Sequence, residues 1–234
     1  MKKMIIFSGA GMSAESGINT FRNQGGVWEQ HDVRQVATPE AWKNNPALVQ
    51  RFYNERRKHI LDAQPNLAHE LIAQFEDDYD VTVITQNIDD LHERAGSENV
   101  LHLHGNIRLA KSSAPHATQQ TRYYPIDGWE LDLDQHRCEA GYPLRPHVVW
   151  FGEPVPVYDE AVELVQNADI FIVIGSTLTV YPVAGLVHEI PAHCEAYYID
   201  PEANYSRVPS QYQLITATAT DGVQQLFQQL CPHL

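Results

Sequence analysis

Cysteine is scarce in this chain: Cys138, Cys194 and Cys231 are scattered over 234 residues, which excludes a disulfide framework. Positive charge is scarce as well. Lysine and arginine number 16 against 30 aspartates and glutamates, a net charge of −14, and that balance opposes broad contact with nucleic acid or anionic lipid. Long apolar runs are missing. The longest clear one covers 170–174, far short of the roughly 20 residues of a membrane span. There is no internal repeat and no low-complexity linker. The opening Met1-Lys2-Lys3-Met4-Ile5-Ile6-Phe7 imitates a secretion signal, but its apolar part stops at Ser8. The expectation is a cytoplasmic protein whose partners are small molecules and cationic protein segments, with no nucleic acid and no membrane.

The sequence does contain a steady alternation of short β-rich runs with helical patterns. Strands are predicted at 4–7, 81–85, 100–103, 148–151, 170–174, 195–199 and 214–216, and helices at 46–62, 159–167 and 221–230. In the first helix Asn45 is the N-cap, Pro46 takes the first turn, and Leu48, Val49, Phe52, Ile60 and Leu61 give an apolar face. That rhythm predicts a mostly parallel sheet with helices on both faces. Two stretches break it, 25–63 and 107–146, and both are read as parts of a small lobe inserted into the sheet domain.

Chemistry gathers just past the predicted strand ends, where open α/β sheets bind ligands. After the first strand stands Gly9-Ala10-Gly11-Met12-Ser13-Ala14-Glu15-Ser16-Gly17. Its Gly-x-Gly-x-x-Ala core fits a turn in which small residues let the backbone approach a pyrophosphate. Alone, the same pattern is also a plain strand-to-helix turn. After the second strand comes Thr85-Gln86-Asn87-Ile88-Asp89-Asp90-Leu91-His92, followed by Leu103-His104-Gly105. These segments bring amide, carboxylate and imidazole groups to the same end of the sheet.

Residues 9–22, 85–96, 103–105, 145–153 and 175–182 together resemble the sirtuin family of NAD-dependent protein deacylases, in the family's order and over nearly the whole chain. The resemblance implies one catalytic domain over 1–234, an α/β Rossmann-like sheet with a small inserted lobe, acting as a monomer on acyl-lysine proteins. It also implies the reaction, attack of an acyl-lysine carbonyl oxygen on the ribose carbon that bears nicotinamide, giving nicotinamide, lysine and O-acyl-ADP-ribose.

Carried over residue by residue, His104 matches the general base, a task suited to an imidazole that titrates near neutrality. His102 lacks a motif match and is read as structural. Asn87 and Asp89 match the residues that orient nicotinamide and the reactive ribose, while Asp90 is read as a helix cap. Gln86 is placed to bond ribose hydroxyls. Phe21 and Ile88 are implied as apolar walls of the nicotinamide pocket, and Arg22 as a partner for phosphate or for the closing loop. Gly9, Ala10, Gly11, Ser13 and Ala219 complete the implied cofactor contacts, with Gly175-Ser176-Thr177 standing where the family has Gly-Thr-Ser. Asp200 ends a strand where the family usually has Asn; a carboxylate there accepts from ribose hydroxyls and repels a 2′-phosphate, which favours NAD over NADP. Val148, Phe151, Gly152 and Glu153 belong to a segment resembling the one that takes an acyl-lysine peptide by β-augmentation. Read without the family, it is a buried strand and a turn.

Tyr53 and Arg56 lie three apart on a predicted helix and so share a face. Their Tyr-x-x-Arg pattern resembles the sirtuin branch that removes succinyl, malonyl and glutaryl groups, with Arg56 holding a terminal carboxylate and Tyr53 adding a hydroxyl. Deacetylation is expected as a second activity. Gln24 stands where that branch often has a smaller residue.

Most sirtuins carry two Cys-x-x-Cys pairs in the inserted lobe, a four-thiolate zinc site. Here 107–146 holds only Cys138, and His116, His136 and His147 show no ligand spacing, so no zinc is expected. Tyr123, Tyr124, Ile126, Trp129, Leu131 and Leu133 are expected to pack the lobe instead. Two other readings use the same nucleotide site: a protein ADP-ribosyltransferase or NAD hydrolase, and a non-enzymatic NAD or ADP-ribose sensor. A dehydrogenase would need a hydride site that the resemblance does not offer.

Overall fold

The computed structural model describes residues 1–19, 32–115 and 122–232. Six strands, β1 (Lys3–Ser8), β2 (Asp80–Thr85), β3 (Val100–His102), β7 (Ile170–Ile174), β8 (Glu195–Ile199) and β9 (Tyr212–Ile215), form one sheet in the order β3-β2-β1-β7-β8-β9. Every neighbouring pair in it is parallel. The central strand β7 reads Ile-Phe-Ile-Val-Ile and is buried throughout, as a strand covered on both faces must be.

Period-two alternation divides β1 between two cores. Met4 and Ile6 face a cluster with the helices Leu67–Gln74 and Ala219–Leu230, whereas Ile5 and Phe7 face one with Ala161, Val165 and Leu186. The helix Ala219–Leu230 approaches the sheet closely because Gly222 has no side chain: a Cβ there would lie 2.2 Å from Ile199 Cγ2.

The order reverses between β1 and β7, and this is the crevice where doubly wound sheets bind nucleotides. The mostly parallel Rossmann-like sheet is thus as expected, and a second, three-stranded antiparallel sheet makes the small lobe: β5 (Tyr123–Pro125), β4 (Gly105–Ser112) and β6 (Leu144–Val148), in the order β5-β4-β6.

The helix Pro46–Asp62 joins lobe to sheet. Asn45 Oδ1 accepts from Leu48 N at 3.1 Å, so the cap is the one the sequence predicts. Val49, Phe52 and Ile60 are buried, but so is a polar stripe at i, i+4 and i+7: Gln50, Asn54 and Arg57. Gln50 Nε2 donates to Leu131 O at 2.7 Å, Asn54 exchanges two bonds with the Leu131 backbone, and Arg57 donates to the carbonyls of Ile107 and Trp129, both at 2.7 Å. Burial lowers the Arg57 pKa to about 10.

The lobe's apolar cluster is Ala110, Ile126, Leu131, Cys138 and Leu144, with Tyr124 packed against it. Two expectations change. Tyr123 and Trp129 are about 40% exposed, the first lying against His147 and the second carrying Lys58 over its ring. The strand expected at 148–151 lies earlier, at Leu144–Val148, because Val149 N turns away to donate to His104 O and Phe151 N to Ala37 O. Cys138 accepts from Ser112 Oγ at 3.2 Å, and among the described residues no group of three or more His, Cys, Asp or Glu is disposed to hold a metal.

Candidate active site

Glycine brings the loops after β1 and β7 together. Gly11 N donates to Gly175 O at 2.8 Å. A Cβ on Gly9 would lie 2.8 Å from Gly175 O, and one on Gly175, at φ +60°, would lie 2.4 Å from Met12 N. Only residues without side chains permit this approach. The glycine loop itself is a 3₁₀ segment, Ala10–Ser16, closed by Gly17 at φ 82°.

The loop after β2 is tied to that floor through its side chains. Asn87 Nδ2 donates to Gly9 O at 3.0 Å and to Ser13 Oγ at 3.1 Å, and Ser13 Oγ donates to Asp89 Oδ2 at 3.0 Å. Asp89 Oδ1 accepts from Leu91 N at 3.2 Å. Asp90 takes the N-cap position of the helix Leu91–Ala95, as the sequence suggests, but its carboxylate makes no cap bond and faces Arg94 and Arg108 at 3.6 Å each, so the first-turn N–H is met by Asp89 instead. Burial raises the Asp89 pKa, opposed by the bonds from Leu91 and Ser13. A carboxylate has about four acceptor positions, so Asp89 can still receive an amide. Asn87 has both amide hydrogens engaged, which makes it a brace of the crevice.

Two histidines address the same loop. His104 Nδ1 lies 2.9 Å from Gln86 O, and His102 Nδ1 lies 3.0 Å from Asn87 O. Carbonyls only accept, so Nδ1 carries the proton in both rings, and in His104 Nε2 is left as the basic nitrogen. Burial lowers the His104 pKa, with the Gln86 carbonyl acting the other way. Gly105, at φ +83°, makes the bend after His104 possible: a Cβ there would lie 2.2 Å from His147 O.

Gln86 Nε2 donates to Ser176 Oγ at 2.9 Å, joining the β2 and β7 loops. Thr177 pairs with Thr179 through their hydroxyls, and Tyr198 OH donates to Ser176 O at 2.9 Å. Asp200 is buried at the end of β8 and accepts from Glu202 N at 2.9 Å. Ala219 is buried at the start of the last helix, beside Thr218 and Thr220, which both bond Glu15 of the glycine loop. These groups stand at the carboxyl ends of β1, β2, β7 and β8, around two glycine loops held in backbone-to-backbone contact. The residues fit a dinucleotide. Among the described residues Ser16 Oγ is buried with no hydrogen-bond partner, a polar group still to be satisfied. Phe21, Arg22 and Gln24 lie outside the described residues, as does His116.

Tyr53 and Arg56 extend the site into the lobe. Tyr53 is buried with Ile88, Ile107, Val148 and Trp150 in one cluster. Its hydroxyl accepts from Trp150 Nε1 at 3.1 Å, and burial pushes its pKa up to about 12. Arg56, one turn on, has its pKa lowered by burial and raised by Tyr53 and Asp89. The helix thus places a cation near Asp89.

Of the implied peptide contacts, Phe151 is half exposed and Gly152 turns at φ +89°, so both face outward. Glu153 does not. Its oxygens take a bidentate pair from Arg145, at 2.8 Å each, and the Trp150 backbone N–H at 2.9 Å. Arg145 also lies 3.4 Å from the Trp150 ring centre. This buried pair holds Trp150 in place, and no sequence motif pointed to Arg145 or Trp150 as supports.

The Sir2 family model matches residues 9–182. An NAD-dependent protein deacylase of Bacteroides thetaiotaomicron is 46% identical over 233 residues, covering 99% of each chain. The fold is similar to a Sir2 homolog–NAD complex, at TM-score 0.86 and 35% identity, covering 98% of this chain and 89% of that one. It is also similar to a Sir2–p53 peptide–NAD⁺ complex, at TM-score 0.76 and 28% identity, covering 97% and 92%.

Proposed function

This chain belongs to the Sir2 family, and on that premise we propose that it is a deacylase specialised for lysine acyl groups that end in a carboxylate. The coarser activity is that of an NAD-dependent protein deacylase, releasing nicotinamide and O-acyl-ADP-ribose. NAD, when bound, supplies an activated ribose carbon to receive the acyl oxygen.

The chain's own groups divide the work. The glycine loop, Ser176 and Asp200 hold the dinucleotide, and Asp89 receives the nicotinamide amide. His104 Nε2 takes the ribose hydroxyl proton, and burial keeps that nitrogen unprotonated at neutral pH. Phe151 and Gly152 border the peptide, while Val148 lines the acyl channel beside Tyr53. An acidic surface of net charge −14 favours lysine-rich substrates.

One observation carries the acyl preference. Trp150 Nε1 fills an acceptor position of the Tyr53 hydroxyl, so Tyr53 keeps its own O–H to donate, one helical turn from Arg56. A desolvated guanidinium favours an anion over a methyl group, because a charge-assisted pair offsets part of the cost of burying the cation. Succinyl- and malonyl-lysine present that anion. The test is Arg56→Met assayed on matched succinyl and acetyl peptides. Loss of desuccinylation by about a hundredfold, consistent with roughly 2–3 kcal/mol for a charge-assisted bond, with deacetylation within a few fold, is expected. Equal losses on both substrates would overturn the assignment.

A further inference from the structure

His102 is placed differently from His104 although both lie on the strand-to-loop segment that borders the crevice. Its Nδ1 meets the carbonyl oxygen of Asn87 at 3.0 Å, and its Nε2 meets Glu93 Oε1 at 2.7 Å. Both partners accept: a carbonyl has no proton to give, and a carboxylate on a side chain 37% exposed to solvent is ionised at neutral pH. Each ring nitrogen therefore carries a proton. The Asn106 amide nitrogen lies 3.3 Å from Nε2 and 3.4 Å from Glu93 Oε1. Its orientation is fixed, because Asn106 Oδ1 accepts from Arg108 N at 2.9 Å, so it adds a second donor to Glu93.

We propose that His102, held as an imidazolium between Glu93 and the Asn87 carbonyl, is a positioning residue that fixes the 86–89 loop for NAD. Asn87 is pinned from two sides: its side-chain amide by Gly9 and Ser13, its backbone carbonyl by a cationic N–H. Charge-assisted bonds are about twice as strong as neutral ones. Asp89, two residues on, sits within the field of the same cation. The other histidines near His102 are neutral: burial lowers the His147 pKa to about 4 and that of His92 well below its usual value. For His102, burial acts against the charge but the Glu93 pair outweighs it, and the pKa is raised. Of these three rings, only that of His102 has its pKa raised.

The inference rests on the deacylase reading for its kinetic arm and on geometry alone for its spectroscopic arm. Nitrogen-15 NMR of the protein without NAD should find both His102 nitrogens protonated at pH 7.5, and Glu93→Gln should return the ring to one proton at that pH. In peptide deacylation, His102→Gln and Glu93→Gln should raise KM for NAD about tenfold while KM for the acyl-peptide stays within twofold. A structural defect would instead move both constants and the melting temperature. If no acyl-peptide is turned over, the deacylase reading fails while the NMR result and ADP-ribose calorimetry on Glu93→Gln still decide the proposal. Singly protonated His102 in the native protein, or unchanged nucleotide affinity in Glu93→Gln, would overturn it.

Discussion

The indole N–H of Trp150 donates to the hydroxyl of Tyr53 at 3.1 Å inside a buried cluster. Trp150 is itself clamped, with Arg145 over its ring and Glu153 on its backbone N–H. A residue that lies outside the Tyr-x-x-Arg pattern thereby sets the direction of the Tyr53 proton. Tyr53→Phe should lower desuccinylation roughly tenfold, about 1.4 kcal/mol, with little change on acetyl-lysine. It should also lower stability by about 1–3 kcal/mol, because the indole N–H is left buried without an acceptor. Steady-state kinetics on paired peptides, with urea unfolding, reads both effects.

Gly175→Ala tests the meeting of the two nucleotide loops. The residue sits at φ +60°, and its new methyl would lie 2.4 Å from Met12 N. A strain of about 1–3 kcal/mol or more follows, lowering the melting temperature by several degrees. Isothermal calorimetry should find ADP-ribose affinity reduced by tenfold or more, since the β1 and β7 loops are pushed apart.

Stability should fall on mild acidification. His69 is fully buried, and burial lowers its pKa from 6.5 to about 4. In that window the unfolded chain binds a proton that the folded chain refuses, so stability drops as pH falls from about 6.5 toward 4, by up to roughly 3 kcal/mol. His69→Gln retains an acceptor at the third helical position for the Asn66 N–H. Urea midpoints measured between pH 7.5 and 4.5 should slope less steeply in that variant.

Lobe integrity depends on a buried polar stripe and a small apolar cluster. Arg57→Met strands the carbonyls of Ile107 and Trp129 and should cost about 3 kcal/mol. Hydrogen exchange should speed up first around 126–133, with β1 and β7 keeping their protection. Exhaustive dialysis against a chelator should leave the melting temperature unchanged.

Much of this architecture is legible in the sequence because the strands are short, β-branched and bounded by glycine or polar loops. The bounds of β7 and β8 and of the Pro46–Asp62 helix follow from apolar runs and from the Asn-Pro cap. The helix Leu67–Gln74 has no counterpart among the predicted elements. Its signal, Asn66 followed by His69 in a capping box, uses histidine where Glu or Gln is usual. The strand β6 lies ahead of its predicted place because Val148 to Phe151 is apolar, while the residues that form the strand include Arg145 and Pro146. Motifs could place His104, Asn87 and Asp89, but not the partners of Glu153 or the role of Gln50, Asn54 and Arg57. Arg145 lies 8 residues from Glu153, and the backbone partners of Gln50, Asn54 and Arg57 lie 50 to 81 residues away, so no local pattern encodes them.

The central claim is tested most directly by mass spectrometry of one lysine-rich peptide carrying succinyl-, malonyl- or acetyl-lysine, incubated with the native protein with and without NAD. The account predicts NAD-dependent loss of the succinyl and malonyl groups, faster than acetyl, with O-acyl-ADP-ribose formed in equal amount. Removal of acetyl alone would contradict it and return Tyr53 and Arg56 to a purely structural helix face.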